Sequence, residues 1–206
     1  MHVPRALLVD IDDTLYAYAP AEEAGIAAVE ALFPAVPMRR VYLQARGDLV
    51  RERPAHAAGR CRVSVFLRVA EVLQMPQPPA RAAELEAVYR AAFLAAMSPH
   101  PEVVQFIERC RNDGARLCAV TDTLLRPQLM KLEALQLRDL FDAVVTAEET
   151  GVEKPHPQMF AAALSKLNAA PGDALMIGDH AERDIAGARA CGIAAVQVRE
   201  GKILWG

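Results

Sequence analysis

Three carboxylates lie within four residues near the start of the chain, at Asp10, Asp12 and Asp13. They directly follow the short apolar run Ala6–Val9, which is typical of a buried strand. Carboxylates this close repel one another, so the cluster costs stability unless a cation lies among them. Their hard oxygen atoms suit Mg²⁺. A polar turn in which Asp13 caps a helix explains the same residues equally well, and the cluster alone leaves both interpretations open.

A second acidic cluster follows another apolar run and contains Gly178, Asp179 and Asp184. Parallel strands bring their carboxyl ends to one edge of a sheet, so Asp179 is expected to approach Asp10 and Asp12. Two acidic strand ends at one edge favour a metal site over two coincident turns. For Asp184 the alternative is an acid in the first turn of a helix, where the helix dipole stabilises it.

Two further residues at this edge have the chemistry to hold a phosphate group. Thr121 ends a predicted strand, and its hydroxyl can bind a phosphate oxygen together with backbone N–H groups at a helix start. Lys154 precedes Pro155 near the start of a predicted helix, and its ammonium would offset both the acids and a phosphate. Taken singly, Thr121 is typical of a helix cap and Lys154 of a solvated surface lysine.

The elements that would position these residues alternate between strands and helices. Short apolar strands are predicted over 6–11, 116–121, 143–146, 174–177 and 193–198. Helices are predicted between the later strands, over 101–112, 125–137, 157–167 and 181–190. This alternation predicts an α/β fold of three layers, with a parallel sheet between two layers of helices.

The first strand is separated from the others by a long segment without predicted strands. Helices are predicted there over 21–33, 38–50, 62–74 and 80–97. We therefore predict a catalytic core made of 1–15 and 97–206, and a small helical domain over 16–96. Because ligands bind at strand ends in such sheets, an insertion after the first strand is expected to cover the site as a lid. Residues 38–70 carry eight arginines and two acids, which fits either substrate anions or a solvated helix face.

The composition excludes several classes of function. The chain has 206 residues, of which 53% are apolar and 24% charged, an ordinary globular balance. A net charge of −3 predicts no nucleic-acid or membrane partner. The apolar runs fall short of the ~20 residues of a membrane span, and 6–9 is too short for a signal peptide. The four cysteines lack CxxC spacing, so reduced thiols and a cytoplasmic location are expected.

The motifs occur in the order typical of one enzyme family. The chain resembles the haloacid dehalogenase (HAD) superfamily, and within it the phosphatases with a helical cap. The motifs that carry this resemblance are DxDxT at 10–14, the strand-terminal Thr121, Lys154 with Pro155, and GD-x₄-D at 178–184. The resemblance implies a Rossmann-like core with a parallel sheet, and Mg²⁺ as the cofactor.

The resemblance also implies a role for each of the acids. Asp10 resembles the nucleophile that forms an aspartyl-phosphate, and Asp12 the general acid and base. Asp10, the backbone carbonyl of Asp12, and Asp179 resemble the Mg²⁺ ligands. Asp184 resembles the second acid of that metal site, acting through water or through Lys154.

Catalysis in this family also needs groups that bind the phosphate, and Thr121 and Lys154 resemble that pair. Three positions depart from the family pattern: Asp122 stands where Asn or Ser is commoner, Arg183 where Asn is often found, and His180 where a small polar residue is frequent. None of the three removes a catalytic group. We expect Asp122 to take part in substrate binding beside Thr121.

The activity implied by the resemblance is Mg²⁺-dependent hydrolysis of a phosphomonoester through an aspartyl-phosphate. The expected substrate is a small phosphorylated metabolite, with a nucleotide and a sugar phosphate both open. A phosphomutase shares every motif. A 2-haloacid dehalogenase is disfavoured by Asp12, because such enzymes generally lack an acid two residues after the nucleophile. A receiver-like domain that binds Mg²⁺ and phosphate without catalysis is the non-enzymatic alternative, and the helical insertion argues against it.

Overall fold

The chain forms two compact units in a computed structural model that describes residues 4–52, 59 and 61–205. One unit comprises Met1–Tyr18 and Ser98–Gly206, and the other comprises Ala19–Met97. The larger unit contains a sheet and the smaller one contains helices. Among the described helices, none is both long and apolar enough to cross a membrane.

The sheet of the larger unit has six strands within the described residues, in the order β3-β2-β1-β4-β5-β6. The strands are β1 Ala6–Val9, β2 Arg116–Thr121, β3 Ala143–Thr146, β4 Ala174–Gly178, β5 Ala194–Arg199 and β6 Lys202–Leu204. Strands β1 to β5 pair in parallel, and β6 pairs antiparallel with β5. The predicted α/β class with a parallel sheet is therefore confirmed.

The α-helices are numbered along the chain. They are α1 Tyr18–Glu30, α2 Met38–Glu52, α3 Arg62–Val72, α4 Pro78–Ala95, α5 Pro101–Asn112, α6 Leu125–Ala134, α7 Ala147–Thr150, α8 Pro157–Leu167 and α9 Gly187–Ala190. A π-helix, Ala181–Ala186, leads directly into α9, and short 3₁₀ turns occupy Arg138–Leu140 and Pro171–Asp173.

Strand β1 forms the centre of the larger unit. All four of its residues are fully buried, which explains why the run is apolar without alternation. Ala6 and Leu8 belong to a core cluster with Met159 and Phe160 of α8. The residues that alternate with them are equally buried, so both faces of β1 are covered.

The smaller unit packs around aromatic side chains. Four aromatic rings contact one another there, with centroids of contacting pairs 5.3 to 5.8 Å apart. They belong to Tyr42, Phe66, Tyr89 and Phe93. Gly25 on α1 permits this packing, because a Cβ there would lie 2.7 Å from the Tyr89 ring.

Most described arginines of region 38–70 are neutralised by acids of the same unit. Arg39 pairs with Glu23 and Glu30, and Arg46 pairs with Glu22. The others that form ion pairs are Arg51, Arg62 and Arg68. Two arginines of the region, Arg53 and Arg60, lie outside the described residues.

Two of the differences between the observed and predicted helix boundaries follow from the local backbone conformation. Helix α1 begins at Tyr18 rather than at 21, because Pro20 occupies the first turn, where a missing N–H costs nothing. Helix α6 ends at Ala134 rather than at 137, because Gln136 adopts a left-handed φ of 60°. The predicted α-helix over 181–190 is wrong in type for its first six residues, which are π-helical.

Strand β6 was not predicted. The turn Glu200-Gly201 has φ values of 48° and 74° between the paired residues Arg199 and Lys202. This is a two-residue hairpin turn, in which glycine accepts the positive φ without strain. The short turn helix α7 was also missed.

Candidate active site

The carboxyl ends of three neighbouring strands form the candidate site. Val9 of β1 lies in register with Ala119 of β2 and with Ile177 of β4. Asp10 therefore leaves the sheet beside the ends of β2 and β4, where Thr121 and Asp179 lie. The strand ends converge as the parallel arrangement predicts.

Asp10, Asp179 and Asp184 form an acidic triad. Each contributes a carboxylate oxygen, and these three oxygens lie within 4.8 Å of one another. Lys154 inserts its ammonium into the triad, with Nζ 2.6 Å from Asp10 Oδ1 and 2.7 Å from Asp184 Oδ1. The structure thus brings together four residues that are separated by up to 174 positions in the sequence, since 184 − 10 = 174.

The pKa shifts of Asp10 and Lys154 reflect an excess of negative charge that is buried in the triad. Burial raises the pKa of Asp10 well above its usual value, and Lys154 opposes that rise. Burial alone would lower the pKa of Lys154, but Asp10 and Asp184 outweigh it and the pKa is raised. Three carboxylates against one ammonium leave a formal excess of two negative charges, which the two positive charges of Mg²⁺ would balance. The donor set of carboxylate oxygens therefore fits a divalent cation.

Local structure fixes Asp184 within the triad. The backbone N–H of His180 donates to Asp184 Oδ2 at 2.9 Å. A Cβ on Gly178 would lie 2.5 Å from the Asp184 carboxyl group, so only glycine fits at the end of β4. His180, one of the departures from the family pattern, caps the π-helix by accepting the N–H groups of Glu182 and Arg183 on Nδ1.

Thr14 and Asp13 have separate structural roles beside Asp10. The Thr14 hydroxyl donates to Asp10 Oδ2 at 2.9 Å and so fixes the second oxygen of that carboxylate. Asp13 accepts the backbone N–H of Tyr18, the first residue of α1, at 2.8 Å. Asp13 lies outside the acidic triad, and this contact agrees with the helix-cap interpretation of that residue.

The side chain of Asp12 does not join the triad and is held by three other groups. Oδ1 accepts from Lys131 Nζ at 2.6 Å and from the Tyr16 hydroxyl at 2.5 Å, and Oδ2 accepts from Gln128 Nε2 at 3.0 Å. Burial raises the pKa of Asp12, but Lys131 and the hydrogen bonds outweigh it and lower the pKa. The resemblance implies a metal contact from the backbone carbonyl of Asp12 and not from this side chain, and the contacts of the side chain are compatible with that expectation.

Gln128 connects Thr121 to Asp12. Its Nε2, which contacts Asp12, also donates to Thr121 Oγ1 at 2.8 Å. Sequence reasoning missed Gln128 and Lys131. The available signal was the helical spacing of Gln128 and Lys131, which places both on one face of the helix that follows Thr121.

Asp122 contacts protein groups with both of its oxygens. Oδ1 accepts the backbone N–H of Lys154 at 2.8 Å, and Oδ2 lies 3.3 Å from Arg183 Nη1. Two departures from the family pattern, Asp122 and Arg183, are thus ion-pair partners. These contacts favour a role in positioning Lys154 over the substrate binding expected for Asp122.

A groove of about 400 Å³ opens beside Asp179 in the larger unit. Its walls include Asp13, His100 and the end of β5. Gln197 links the groove to the triad, because its Nε2 donates to the carbonyl oxygen of Asp179 at 2.7 Å.

Comparison with known proteins gives one consistent family. A sequence model described as haloacid dehalogenase-like hydrolase matches residues 4–192. The chain is 36% identical to ribulose-1,5-bisphosphate 5-phosphatase from Halopiger xanaduensis, over 93% of this chain and 83% of the relative. It is 34% identical to glyceraldehyde 3-phosphate phosphatase from Methanopyrus kandleri, over 96% and 85% of the two chains.

Among solved structures, a 2-haloacid dehalogenase from Pseudomonas syringae pv. Tomato DC3000 has the same fold. The TM-score is 0.79 at 25% identity, over 98% of this chain and 89% of the other.

Proposed function

We propose that this chain, which belongs to the haloacid dehalogenase-like hydrolases, is a Mg²⁺-dependent phosphomonoesterase that works through an aspartyl-phosphate on Asp10. The observation that carries the proposal is the pairing of two sites. One is the acidic triad with Lys154, which suits a phosphate and a cation. The other is the Asp12 carboxylate, two residues after Asp10, which suits proton transfer.

In the first step, an oxygen of Asp10 attacks the phosphorus atom of the ester. The bond between phosphorus and the alcohol oxygen breaks, and Asp12 donates a proton to that oxygen as the alcohol leaves. Asp10 then carries the phosphoryl group as an acyl phosphate. Thr121 donates its hydroxyl to a phosphate oxygen, and Lys154 offsets the charge that opposes the approach of two anions.

In the second step, water attacks the same phosphorus atom. Asp12 takes a proton from the water, and the bond between phosphorus and Asp10 breaks. Inorganic phosphate is released, and the carboxylate of Asp10 and the protonated Asp12 are restored. Asp10, Asp179 and Asp184, with the backbone carbonyl of Asp12, would hold Mg²⁺, which supplies positive charge for the transferred phosphoryl group.

Asp12 is the feature that separates this activity from dehalogenation. Displacement of halide needs no proton, whereas an alkoxide is a poor leaving group without one. A phosphomutase would use the same residues and return the phosphoryl group to a sugar instead of water, so its products would distinguish it.

The relatives support a class of substrate. Two of them are named for the phosphorylated carbohydrates ribulose-1,5-bisphosphate and glyceraldehyde 3-phosphate. We therefore place small sugar phosphates ahead of nucleotides as substrates of this chain.

The test measures phosphate release from p-nitrophenyl phosphate and from a panel of sugar phosphates and nucleotides. We expect turnover that requires Mg²⁺ and is abolished by EDTA and by Asp10→Asn. The matched control is Asp139→Asn, which alters a carboxylate with 91% exposure outside the site. Unchanged turnover in Asp10→Asn would contradict the proposal, and isomerised sugar phosphate without free phosphate would identify a mutase.

A further inference from the structure

We infer that Gln128 and Lys131, one turn apart on α6, are positioning residues that hold the Asp12 carboxylate where it protonates the leaving alcohol. This role rests on the proposed function, because it concerns the group assigned there as general acid. Neither residue belongs to the four motifs of the sequence. Both are brought to Asp12 from more than 110 positions away in the chain.

The contacts around Asp12 leave one direction open. An ionised carboxylate offers about four lone-pair positions. Lys131 and the Tyr16 hydroxyl take two on Oδ1, and Gln128 takes one on Oδ2. Among the contacts of the described residues, the remaining position is therefore on Oδ2. A proton carried there is presented in a fixed direction.

Gln128 also connects Asp12 to the phosphate-binding threonine. It is fully buried, and its Nε2 lies 2.8 Å from Thr121 Oγ1 and 2.7 Å from Thr123 Oγ1 as well as 3.0 Å from Asp12. The amide nitrogen has two N–H groups, so Gln128 can donate to Asp12 Oδ2 and Thr121 Oγ1 together, which leaves the hydroxyl proton of Thr121 for a phosphate oxygen. One amide thus sets the direction of both the acid and the phosphate donor.

Lys131 is held in place independently of Asp12. Its side chain is 11% exposed, and Nζ lies 5.9 Å from the ring centroid of Tyr16 and 5.6 Å from that of Tyr18. Cation–π attraction at these distances restricts the lysine to one side of Asp12. The ammonium and the amide approach opposite oxygens, so together they prevent rotation of the carboxylate.

The dependence of rate on the leaving group reports positioning of the acid. p-Nitrophenolate leaves without a proton, whereas phenolate, and still more an alkoxide, needs one. A misplaced Asp12 therefore slows the first step for poor leaving groups and spares good ones. The parameter to compare is kcat/KM, because it reports on steps through release of the alcohol.

The experiment measures kcat/KM for p-nitrophenyl phosphate, phenyl phosphate and an alkyl phosphate that the unsubstituted enzyme hydrolyses. We expect Gln128→Met and Lys131→Met to lose about 10-fold or more on the poor leaving groups, and less than about threefold on p-nitrophenyl phosphate. Lys131→Arg keeps a donor and should recover part of the loss. Glu133→Gln, an exposed position on the same helix, is the matched control and should leave the series unchanged.

A double substitution separates positioning from a structural effect. Combined with Asp12→Asn, Lys131→Met should cause little further loss, because both changes remove the same function. An equal loss on all three esters, or full additivity with Asp12→Asn, would overturn the positioning role while the phosphatase activity stands. No hydrolysis of any ester by the unsubstituted enzyme would overturn the proposed function, and the positioning role with it.

Discussion

Gly178 makes room for the acidic site by having no side chain. It is the last residue of β4, and the side chain of Asp184, from the π-helix, packs directly against it. A Cβ at this position would lie 2.5 Å from the Asp184 carboxyl carbon and from one of its oxygens. The carboxyl group is held by the His180 N–H and lies next to Lys154, so it cannot move away without losing both contacts.

Gly178→Ala is therefore expected to displace Asp184 and to lower kcat/KM by about 10²-fold, the effect of misplacing a catalytic group by about an ångström. The accompanying loss of stability should be about 1–3 kcal/mol, typical of overpacking. Gly172→Ala is the control, because a Cβ there meets nothing within 4 Å. Steady-state kinetics on p-nitrophenyl phosphate and urea unfolding measure both effects. Equal activity of the two alanine variants would contradict the steric role.

The residues that end strands were predictable, and the residues that surround them were not. Asp10 and Asp179 follow apolar runs, and the convergence of parallel strand ends is sufficient to bring them together. Gln128 and Lys131 reach Asp12 only through the way α6 packs beside the loop after β1. Their helical spacing places both residues on one face of α6, but nothing in the sequence indicates that this face meets Asp12 more than 110 positions away.

At the scale of elements, Asp142 links one helix to two strands. It directly precedes β3. Its Oδ2 accepts two hydrogen bonds, from the backbone N–H of Leu117 in β2 at 2.8 Å and from Nη1 of Arg111 in α5 at 2.6 Å. One carboxylate therefore fixes the start of β3 against β2 and the last turn of α5. Because β2 supplies Thr121 at its other end, the register of these strands also matters for the site.

The link through Asp142 makes stability depend on pH. Burial raises the pKa of Asp142, but Arg111 and the Leu117 N–H outweigh it, so the pKa is lower in the folded protein than in the unfolded chain. The carboxylate thus contributes stability above the unfolded pKa of about 3.9, and this contribution disappears as pH falls through the folded pKa.

We expect Asp142→Asn to be less stable than the unsubstituted protein by about 1 kcal/mol at pH 7, and the difference to shrink below about pH 4. Urea unfolding followed by fluorescence of the single tryptophan, Trp205, in the larger unit measures this difference. Asp139→Asn, three residues earlier in the chain and 91% exposed, is the control. A difference that persists at pH 3 would show that the charge of Asp142 is not its cause.

The π-helix illustrates why element type was harder to predict than element position. The carbonyl oxygen of His180 accepts from both Asp184 N, at 2.9 Å, and Ile185 N, at 3.3 Å. The apolar pattern of 181–190 fits an α-helix equally well, since one wider turn changes the spacing little. The wide turn contains Asp184, whose carboxylate accepts the His180 N–H. This contact belongs to the acidic triad and is independent of the apolar pattern of the helix.

At the scale of the whole molecule, the site is assembled from two distant parts of the chain. β1, Asp10, Asp12 and their hydrogen-bond partners Thr14 and Tyr16 come from Met1–Tyr18, and the other proposed site residues come from Ser98–Gly206. The site therefore forms only when β1 pairs with β2 and β4. The sequence pattern predicts a separate helical segment because strand signals are missing over 16–96, and the residues of that segment carry no motif that identifies a substrate.

We expect the buried charge to make the stability of the larger unit depend on the proposed Mg²⁺. Asp10, Asp179 and Asp184 repel one another in the folded state, and Lys154 offsets only part of that repulsion. Asp10 is far from Asp179 and Asp184 in the unfolded chain, so a cation that binds all three carboxylates favours the folded state.

Mg²⁺ at 100 times its dissociation constant should stabilise the protein by about 2.7 kcal/mol relative to EDTA. Thermal unfolding followed by Trp205, whose ring lies 5.2 Å from Phe106 in the larger unit, measures the shift in Tm. Asp179→Asn removes one ligand and one charge, so it should be more stable than the unsubstituted protein in EDTA and gain much less from Mg²⁺. Asp139→Asn should keep the full shift. An equal Mg²⁺-dependent shift in Asp179→Asn would mean that the cation binds elsewhere on the molecule.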